Sequence, residues 1–547
     1  MKIFYHNSEV GVPMKEAKVI DLFKDNIKFS KNNIIACRCN NEIKSLDYVI
    51  KEGDRVDLVD ITDKDGMRIY VRGILFIMAK AFEKLYPEAM ISVNYQLSNA
   101  MFCEIVNEPI TDLMIKKVKD EMASIIEKDL PIKKVIMDKK EAEEFYAKEN
   151  TLRGKLQVEN KEKDTVSLYF CEDYYNYFYG VMPISTGFMK LFDIKKYKDG
   201  FIVRYPNRKN PNELGEFVET KKLQATLEEY DDINRLMHIS TIKDLNNHIE
   251  QGKTAETVLT AEALHEKKIA EIADKIADKR NVKIVLIAGP SSSGKTTFAK
   301  RLGIQLRLHG LTPVTIGTDN YFVEREQTPR DENGEYDFET IEALDLELFN
   351  DHLTKLINGE EIDVPTFDFK DGTKVYNGEK MRLGPNDILV VEGIHSLNDK
   401  LTSTIPKENK FKIYLSDLTV LNIDYFNRIS TTDTRLIRRI VRDNNFRSYS
   451  ALDTLKRWDS VNKGENKNIF PYQEEADAMF NSSLVYELAV LKKYAKPLLD
   501  AIDSNVPEYS EAKRLSTLLE YFDDMDETAI PNNSILREFI GGSIFEY

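Results

Sequence analysis

The plainest hydrophobic pattern in the chain starts at Val282. There the apolar run VKIVLIA leads into a loop of glycine, proline and serine, then a lysine, then FAKRLGIQLRL. The apolar run reads as a strand and the segment after the loop as a helix. Strands alternating with helices continue from this point, the pattern of a parallel sheet with crossover connections. Residues 1 to about 62 differ: short apolar runs, KIFY, KVIDLF, IIACRC and DRVDLVDI, predict a small mixed sheet with one helix. From Met67 to Pro87 apolar positions recur at helical spacing and stop at the proline. Strand-like runs such as SLYFC and GFIVRY then predict a second α+β domain ending near Gly252. Residues 254–280 are rich in helix formers and predict a connecting helix. From about Val506 the chain is acidic, then closes with SILREFIGGSIFEY, which reads as a tail.

Composition narrows the class. At 547 residues the chain exceeds what one core supports, so three or four domains are expected. The 42% hydrophobic and 31% charged content is that of a globular protein, and the net charge of -15 argues against nonspecific binding of nucleic acid by the whole surface. No basic segment followed by an apolar core opens the chain and no apolar stretch reaches membrane-span length, which predicts a cytoplasmic protein without a membrane partner. Four scattered cysteines, Cys37, Cys39, Cys103 and Cys171, make no disulfide framework. Cys37 and Cys39 form a C-x-C pair, but no second Cys/His pair follows at zinc spacing, so buried thiols are the expectation.

The chemistry concentrates after Val282. Gly289, Pro290, Ser291, Ser292, Ser293, Gly294, Lys295 and Thr296 match the pattern G-x-x-x-x-G-K-S/T, with Thr297 following. In such a loop backbone N–H groups point inward at phosphate oxygens, assisted by the positive end of the next helix. Lys295 would neutralise the β- and γ-phosphates of ATP and the Thr296 hydroxyl would ligate Mg²⁺. The guanine-reading N/T-K-x-D motif of a GTPase is absent after the loop, as is the LSGGQ-like signature of a transport ATPase, so transfer to an acceptor is the better class. The next strand, TPVTIGTDNYF, brings Asp319 to the carboxyl edge of a parallel sheet, where a carboxylate can orient or deprotonate an attacking hydroxyl. DILVVEGIH delivers Glu392 to the same edge, as a magnesium partner directly or through water. In DTRLIRRIVRD, Arg435, Arg438 or Arg439, and Arg442 repeat at three- and four-residue steps along one helix face. Such a row can close over a triphosphate; the alternative is a solvated basic face.

Residues 282 to about 490 resemble the uridine kinase family of P-loop kinases, with phosphoribulokinase as a sister group. The matching pieces are GPSSSGKTT, TDNYF, YDFETIEALDLELF, VPTFDF, VVEGI and DTRLIRRIVRD, in the family's order. The resemblance implies that Asp319 is the catalytic base, that Thr296 and Glu392 form the magnesium end, and that Arg435, Arg439 and Arg442 contact the triphosphate. Tyr321 and Phe367 fall on its acceptor side. Two departures stand there: Phe367 replaces a tyrosine before the DF dipeptide, and Gly372 a histidine shortly after it. Losing a hydroxyl and an imidazole removes two hydrogen-bonding groups, each worth about 1–3 kcal/mol when its partner is left buried. The acceptor then need not be uridine, and His395 is a candidate replacement contact, a structural histidine being the other reading.

Residues 1–62 resemble the small β-grasp TGS domain, and residues 63–252 the adjoining editing domain of threonyl-tRNA synthetase, through IKEGDRVDLVDI, GILFIMAKAFEKLYP and GVMPISTGFMKLF. That editing domain carries an H-x-x-x-H pair and a C-x-x-x-H pair. Here Tyr70, Ile74, Phe178 and Met182 take those positions, and the chain has no histidine between His6 and His238. No neutral-pH base remains, so editing activity is expected to be lost. The aromatic stretch DYYNYFYG, 173–180, reads as core, with base stacking the alternative.

The expected whole is an α/β P-loop kinase domain with a parallel sheet and flanking helices (282–505), preceded by the β-grasp domain, the α+β editing-like domain and a connecting helix (253–281), and followed by a tail (506–547). The expected activity is Mg²⁺- and ATP-dependent phosphorylation of a hydroxyl on a small acceptor, foremost a nucleoside. The rivals are a sister kinase for another sugar or nucleoside and a nucleotide sensor that binds RNA or ribosome. RNA contact by the amino-terminal half, self-association and the choice of nucleotide donor stay open.

Overall fold

The computed structural model describes residues 2–5, 8–11, 16–147, 164–330, 334, 336–368 and 371–546; Phe369, the last residue of VPTFDF, lies outside them. Near the amino terminus, strands Ser8–Gly11, Lys2–Tyr5, Arg55–Asp60, Ile34–Cys39 and Glu42–Lys44 lie side by side in that order. Lys2–Tyr5 runs antiparallel to the first and parallel to Arg55–Asp60, so the sheet is mixed. All four cysteines are buried thiols. Burial pushes Cys37 and Cys39 up to about 12, away from the thiolate form that binds metals.

Helix α1 (Lys64–Leu85) begins at Asp63, whose carboxylate accepts from the Asp65 N–H at 2.7 Å, and ends just before Pro87. It packs with the antiparallel sheet Asp193–Tyr197, Gly200–Arg204, Ala100–Ile105, Ile91–Leu97. Tyr70, Ile74, Phe178 and Met182 all belong to this core and are 1–2% exposed. The Tyr70 hydroxyl is spent on Leu191, donating to its carbonyl at 3.0 Å and accepting from its N–H at 2.9 Å. Positions that are polar in the editing domain are therefore packed core here.

Helix α2 (Thr254–Asp278) does more than connect. Its Val258, Ile269, Ile272 and Ile276 are buried in the core of the following sheet, and its Glu262 and Glu266 accept from Arg301 at 3.4 and 2.9 Å. His265 on the same face is wholly buried, and its Nε2 donates to the Ser483 carbonyl at 3.1 Å. Burial, with the Arg301 charge adding to it, holds this imidazole down to about 3. The unfolded chain takes up a proton below about pH 6.5 and the folded chain does not, so stability falls as pH drops from about 6.5 toward 3. At pH 5 the loss from this group is about 2 kcal/mol. The drop in thermal midpoint between pH 7 and pH 5 is expected to be smaller in His265→Gln than in the parent; an equal drop would assign it to other groups.

The central sheet is fully parallel. Strands β1 (Ile284–Ala288), β2 (Thr312–Gly317), β3 (Asp387–Glu392), β4 (Lys410–Ser416) and β5 (Ala478–Asn481) lie in the order β2-β3-β1-β4-β5. Val285, Ile287, Ile388 and Val390 face one core while Ile284, Leu286, Leu389 and Val391 face the other. Burial on both faces explains the unbroken apolar runs of β1 and β3, each such side chain contributing about 1.5–3 kcal/mol. Helices α3 (Lys295–Leu308), α4 (Thr431–Phe446), α5 (Ala451–Asn468), α6 (Glu487–Asp500) and α7 (Tyr509–Leu519) follow.

The last forty residues differ from the expected tail. Leu515, Leu518, Phe522, Ile535, Leu536 and Phe539 are buried in the same core as β1 and α4. The apolar positions of SILREFI drive this, because burying them outweighs the solvation of the few acids between them. No helix among the described residues is long and apolar enough to cross a membrane.

Candidate active site

The loop from Gly289 to Thr296 leaves the carboxyl end of β1 and enters α3. Gly294 has φ +85°, the left-handed region, and a Cβ there would run into the Ile535 side chain, so glycine is required twice over. Ser292 also has a positive φ of 60°, a strained conformation for serine. Its carbonyl is pinned by Arg438 at 3.3 Å. The Ser292 and Ser293 hydroxyls are buried without a partner among the described residues, the condition of a cradle whose ligand supplies acceptors. Lys295 Nζ donates to the Pro290 carbonyl at 3.1 Å. Burial pulls its ammonium below the usual lysine range, against the charges of Glu392 and Glu538.

Two carboxylates face this lysine. Gly317 and Ile287 both pair with Glu392, which aligns the ends of β2, β3 and β1 at one edge. Asp319 follows β2 in the short turn Thr318–Tyr321 and is exposed at this edge. The surrounding walls raise its carboxyl above the ordinary aspartate value, with Lys295 pulling the other way. Glu392 is raised by burial too, against Lys295 and the Thr296 hydroxyl, which donates to Glu392 Oε1 at 3.1 Å. The charges of Glu538 and Asp319 raise it further.

The arginine row of α4 grips the loop instead of forming a solvated face. Arg435 and Arg438 are 2% and 0% exposed. Arg435 donates to the Ser291 carbonyl at 3.2 Å and to both oxygens of Glu465 at 2.6 and 2.9 Å. Glu465 Oε1 also accepts from the Ser291 N–H at 2.7 Å. Arg438 reaches Ser292, Glu487 and Ser482. Arg439 donates to Ser291 Oγ at 2.7 Å, and Arg442 to Asp443 at 2.9 Å. Of the residues expected to contact triphosphate, Arg435 is thus committed to holding the loop's shape, while Arg442 lies near enough to Lys295 to depress its charge. Neither Glu465 nor the grip of Arg438 on the loop is legible in the sequence, because the partners are 30 to 174 residues apart.

Three residues expected on the acceptor side are buried. Tyr321 is wholly buried against Phe349, its hydroxyl engaged with His352 Nδ1 at 2.9 Å, so it presents no polar group to a ligand. Phe367 is buried with its ring 5.5 Å from Phe322. His395 is also buried, next to the Glu339–Thr340 backbone, and burial pushes its imidazole down to about 4, a neutral ring whose two nitrogens have no hydrogen-bond partner among the described residues. Gly372, where the resembled family has histidine, has φ +74°, and a Cβ there would lie 2.6 Å from the Arg325 side chain. The space of the missing imidazole is thus held by a guanidinium.

One group at the loop was not foreseen. Glu538 accepts from the Thr297 hydroxyl at 2.8 Å and from its N–H at 3.3 Å, at the positive end of α3. A carboxylate there is favoured by the helix and opposes any anion arriving at the same turn. Glu538→Gln is expected to tighten nucleotide binding at the loop roughly 5- to 30-fold, from about 1–2 kcal/mol of relieved repulsion. An unchanged or raised dissociation constant would remove Glu538 from the nucleotide's path.

Residues 284–487 match the model of the phosphoribulokinase / uridine kinase family. Over 198 residues the chain is 30% identical to the uridine kinase of Staphylococcus haemolyticus, covering 36% of this chain and 86% of that enzyme. The chain belongs to the phosphoribulokinase / uridine kinase family. As a member it is a P-loop kinase, a phosphotransferase acting on a small substrate. The solved structure of a possible uridine kinase from Bacillus stearothermophilus matches this family member at 20% identity, over 39% of this chain and 98% of that one, with a TM-score of 0.25, too low to add to the assignment. The amino-terminal part of this kinase is similar to threonine–tRNA ligases. That of Desulforamulus reducens is 26% identical over 158 residues, 28% of this chain and 25% of the ligase. The kinase chain therefore spans about a quarter of that ligase's length.

Proposed function

We propose that the protein transfers the γ-phosphoryl group of ATP to a hydroxyl of a nucleoside-type acceptor. The reading rests on one juxtaposition: Asp319, Lys295 and Glu392 share the crevice at the carboxyl edge of the parallel sheet, close enough for their charges to act on one another. In this reading the loop and Lys295 hold the phosphates, and Asp319 receives the proton of the acceptor hydroxyl. The hydroxyl oxygen bonds to the γ-phosphorus as the bond to the β–γ bridging oxygen breaks, and ADP leaves. A carboxyl raised above its ordinary value is the better base near neutrality. A nucleotide sensor would need Lys295 and Thr296 but has little use for Asp319.

The donor set fits Mg²⁺. Glu392 is half-buried and bonded to Thr296, and loss of solvent with the charges of Glu538 and Asp319 raises its carboxyl, so a divalent cation would relieve it. Thr296 and Glu392 would hold the ion, which when bound neutralises phosphate charge, with water completing its shell. Phe367 and the Arg325 side chain beside Gly372 support an acceptor pocket unlike that of a uridine-selective site. Purified protein with Mg-ATP and a panel of nucleosides and sugars provides the test. At least one nucleoside is expected to be phosphorylated; ATP binding without any phosphorylated product across the panel would overturn the reading.

A further inference from the structure

A cavity of about 410 Å³ opens where the amino-terminal sheet, α1, strand Thr165–Cys171 and α7 meet, far along the chain from the phosphate loop. We propose that it is a second nucleotide site, taking a nucleoside phosphate independently of the loop. Its volume lies in the range of small-ligand pockets. In a chain of net charge -15, its wall carries Lys44, Arg72, Lys134, Lys139, Lys513 and Arg514 against two carboxylates, Glu42 and Asp65. Glu42 pairs with Lys44 and Lys513, and Arg514 with Asp433 and Glu511, so the charge that calls for an anion is that of Arg72 and Lys134.

Arg72 is the sharpest sign. Its guanidinium donates to the Val181 carbonyl at 2.7 Å and lies against Gly180, and among the described residues no carboxylate stands within ion-pair distance of it. Burial, reinforced by the Arg68 charge, holds it down to about 10. Lys134 is likewise lowered by its surroundings and by Lys44. A phosphate would supply the acceptors these groups lack, and a guanidinium offers it paired donors.

The wall also carries fixed aromatic rings. Tyr169 donates its hydroxyl to the Gly180 carbonyl at 2.6 Å, Tyr177 shares a hydrogen bond with Tyr521, and Tyr179 donates to the Arg514 carbonyl. Hydroxyls spent in this way hold the rings rigid, and the half-buried Tyr179 and Tyr521 leave surface on which a base can stack at little entropic cost. The cavity is bounded by Ile69 and Arg72; of the four positions that answer the resembled editing pairs, Phe178 is on its wall and Tyr70, Ile74 and Met182 are not.

For the test, AMP, UMP, ATP and inorganic phosphate are titrated by calorimetry into full-length Lys295→Ala protein, in which the loop's hold on phosphate is weakened. Saturable one-to-one binding of at least one nucleotide is expected, weakened by about tenfold or more by Arg72→Ala and by Lys134→Glu. Lys134 is exposed, so its substitution leaves the fold intact even if Arg72→Ala does not. No saturable nucleotide binding, or binding that neither substitution weakens, would overturn the proposal. Equal binding of inorganic phosphate would overturn its nucleoside part.

Discussion

Replacing Asp319 with asparagine is expected to lower kcat by about three orders of magnitude while the affinity for ATP stays within about threefold. Asparagine keeps the shape of the side chain and cannot take the hydroxyl proton. Among the described residues Asp319 makes no hydrogen bond that shapes the loop, and its charge and those of Lys295 and Glu392 act on one another. Losing that charge therefore leaves the phosphate cradle standing. Measuring kcat with the best acceptor beside the ATP dissociation constant separates the two effects. A fall of less than tenfold in kcat would mean that the acceptor hydroxyl loses its proton elsewhere, and a matching loss of ATP affinity would make Asp319 part of the cradle.

The other large effect belongs to stability. Glu465→Ala is expected to cost about 3–5 kcal/mol, because it leaves the Arg435 guanidinium buried without its counter-charge. It also strips the Ser291 N–H of its acceptor, so the loop loses shape and ATP binding weakens along with the fold. Denaturant and thermal unfolding report the first loss and nucleotide titration the second. Adding Arg435→Met should recover much of the stability, since an apolar pair in the same space carries no unpaired charge. Recovery of ATP binding in that double variant would show that the clamp does not shape the loop, whereas stability without binding would confirm its role.

Much of the carboxyl-terminal architecture is legible locally. A parallel strand must be apolar on both faces, and VKIVLIA and DILVVE announce that without reference to neighbours. The phosphate loop is legible for the same reason: its glycines answer a backbone demand that a few adjacent residues decide. The arginine row of α4 was legible as a face and misread as to what it touches, since helical spacing says which side chains point together and nothing about the burial that awaits them. Tyr321 shows the same limit, its polarity suggesting a contact where packing against Phe349 and the bond to His352 make it interior.

The sequence by itself determined the alternation of strands and helices, the phosphate cradle, and the carboxylates at the carboxyl ends of β2 and β3. Each depends on residue type and short spacing. Tertiary structure alone decided that Glu465 and Arg435 brace the loop, that Glu538 stands at the first turn of α3 and that Arg325 fills the space beside Gly372. It also brought Arg72 and Lys134 to one cavity. These juxtapositions join residues tens to hundreds of positions apart, and no local propensity encodes them; they follow from the burial of apolar faces, which carries the polar side chains to wherever the chain must run.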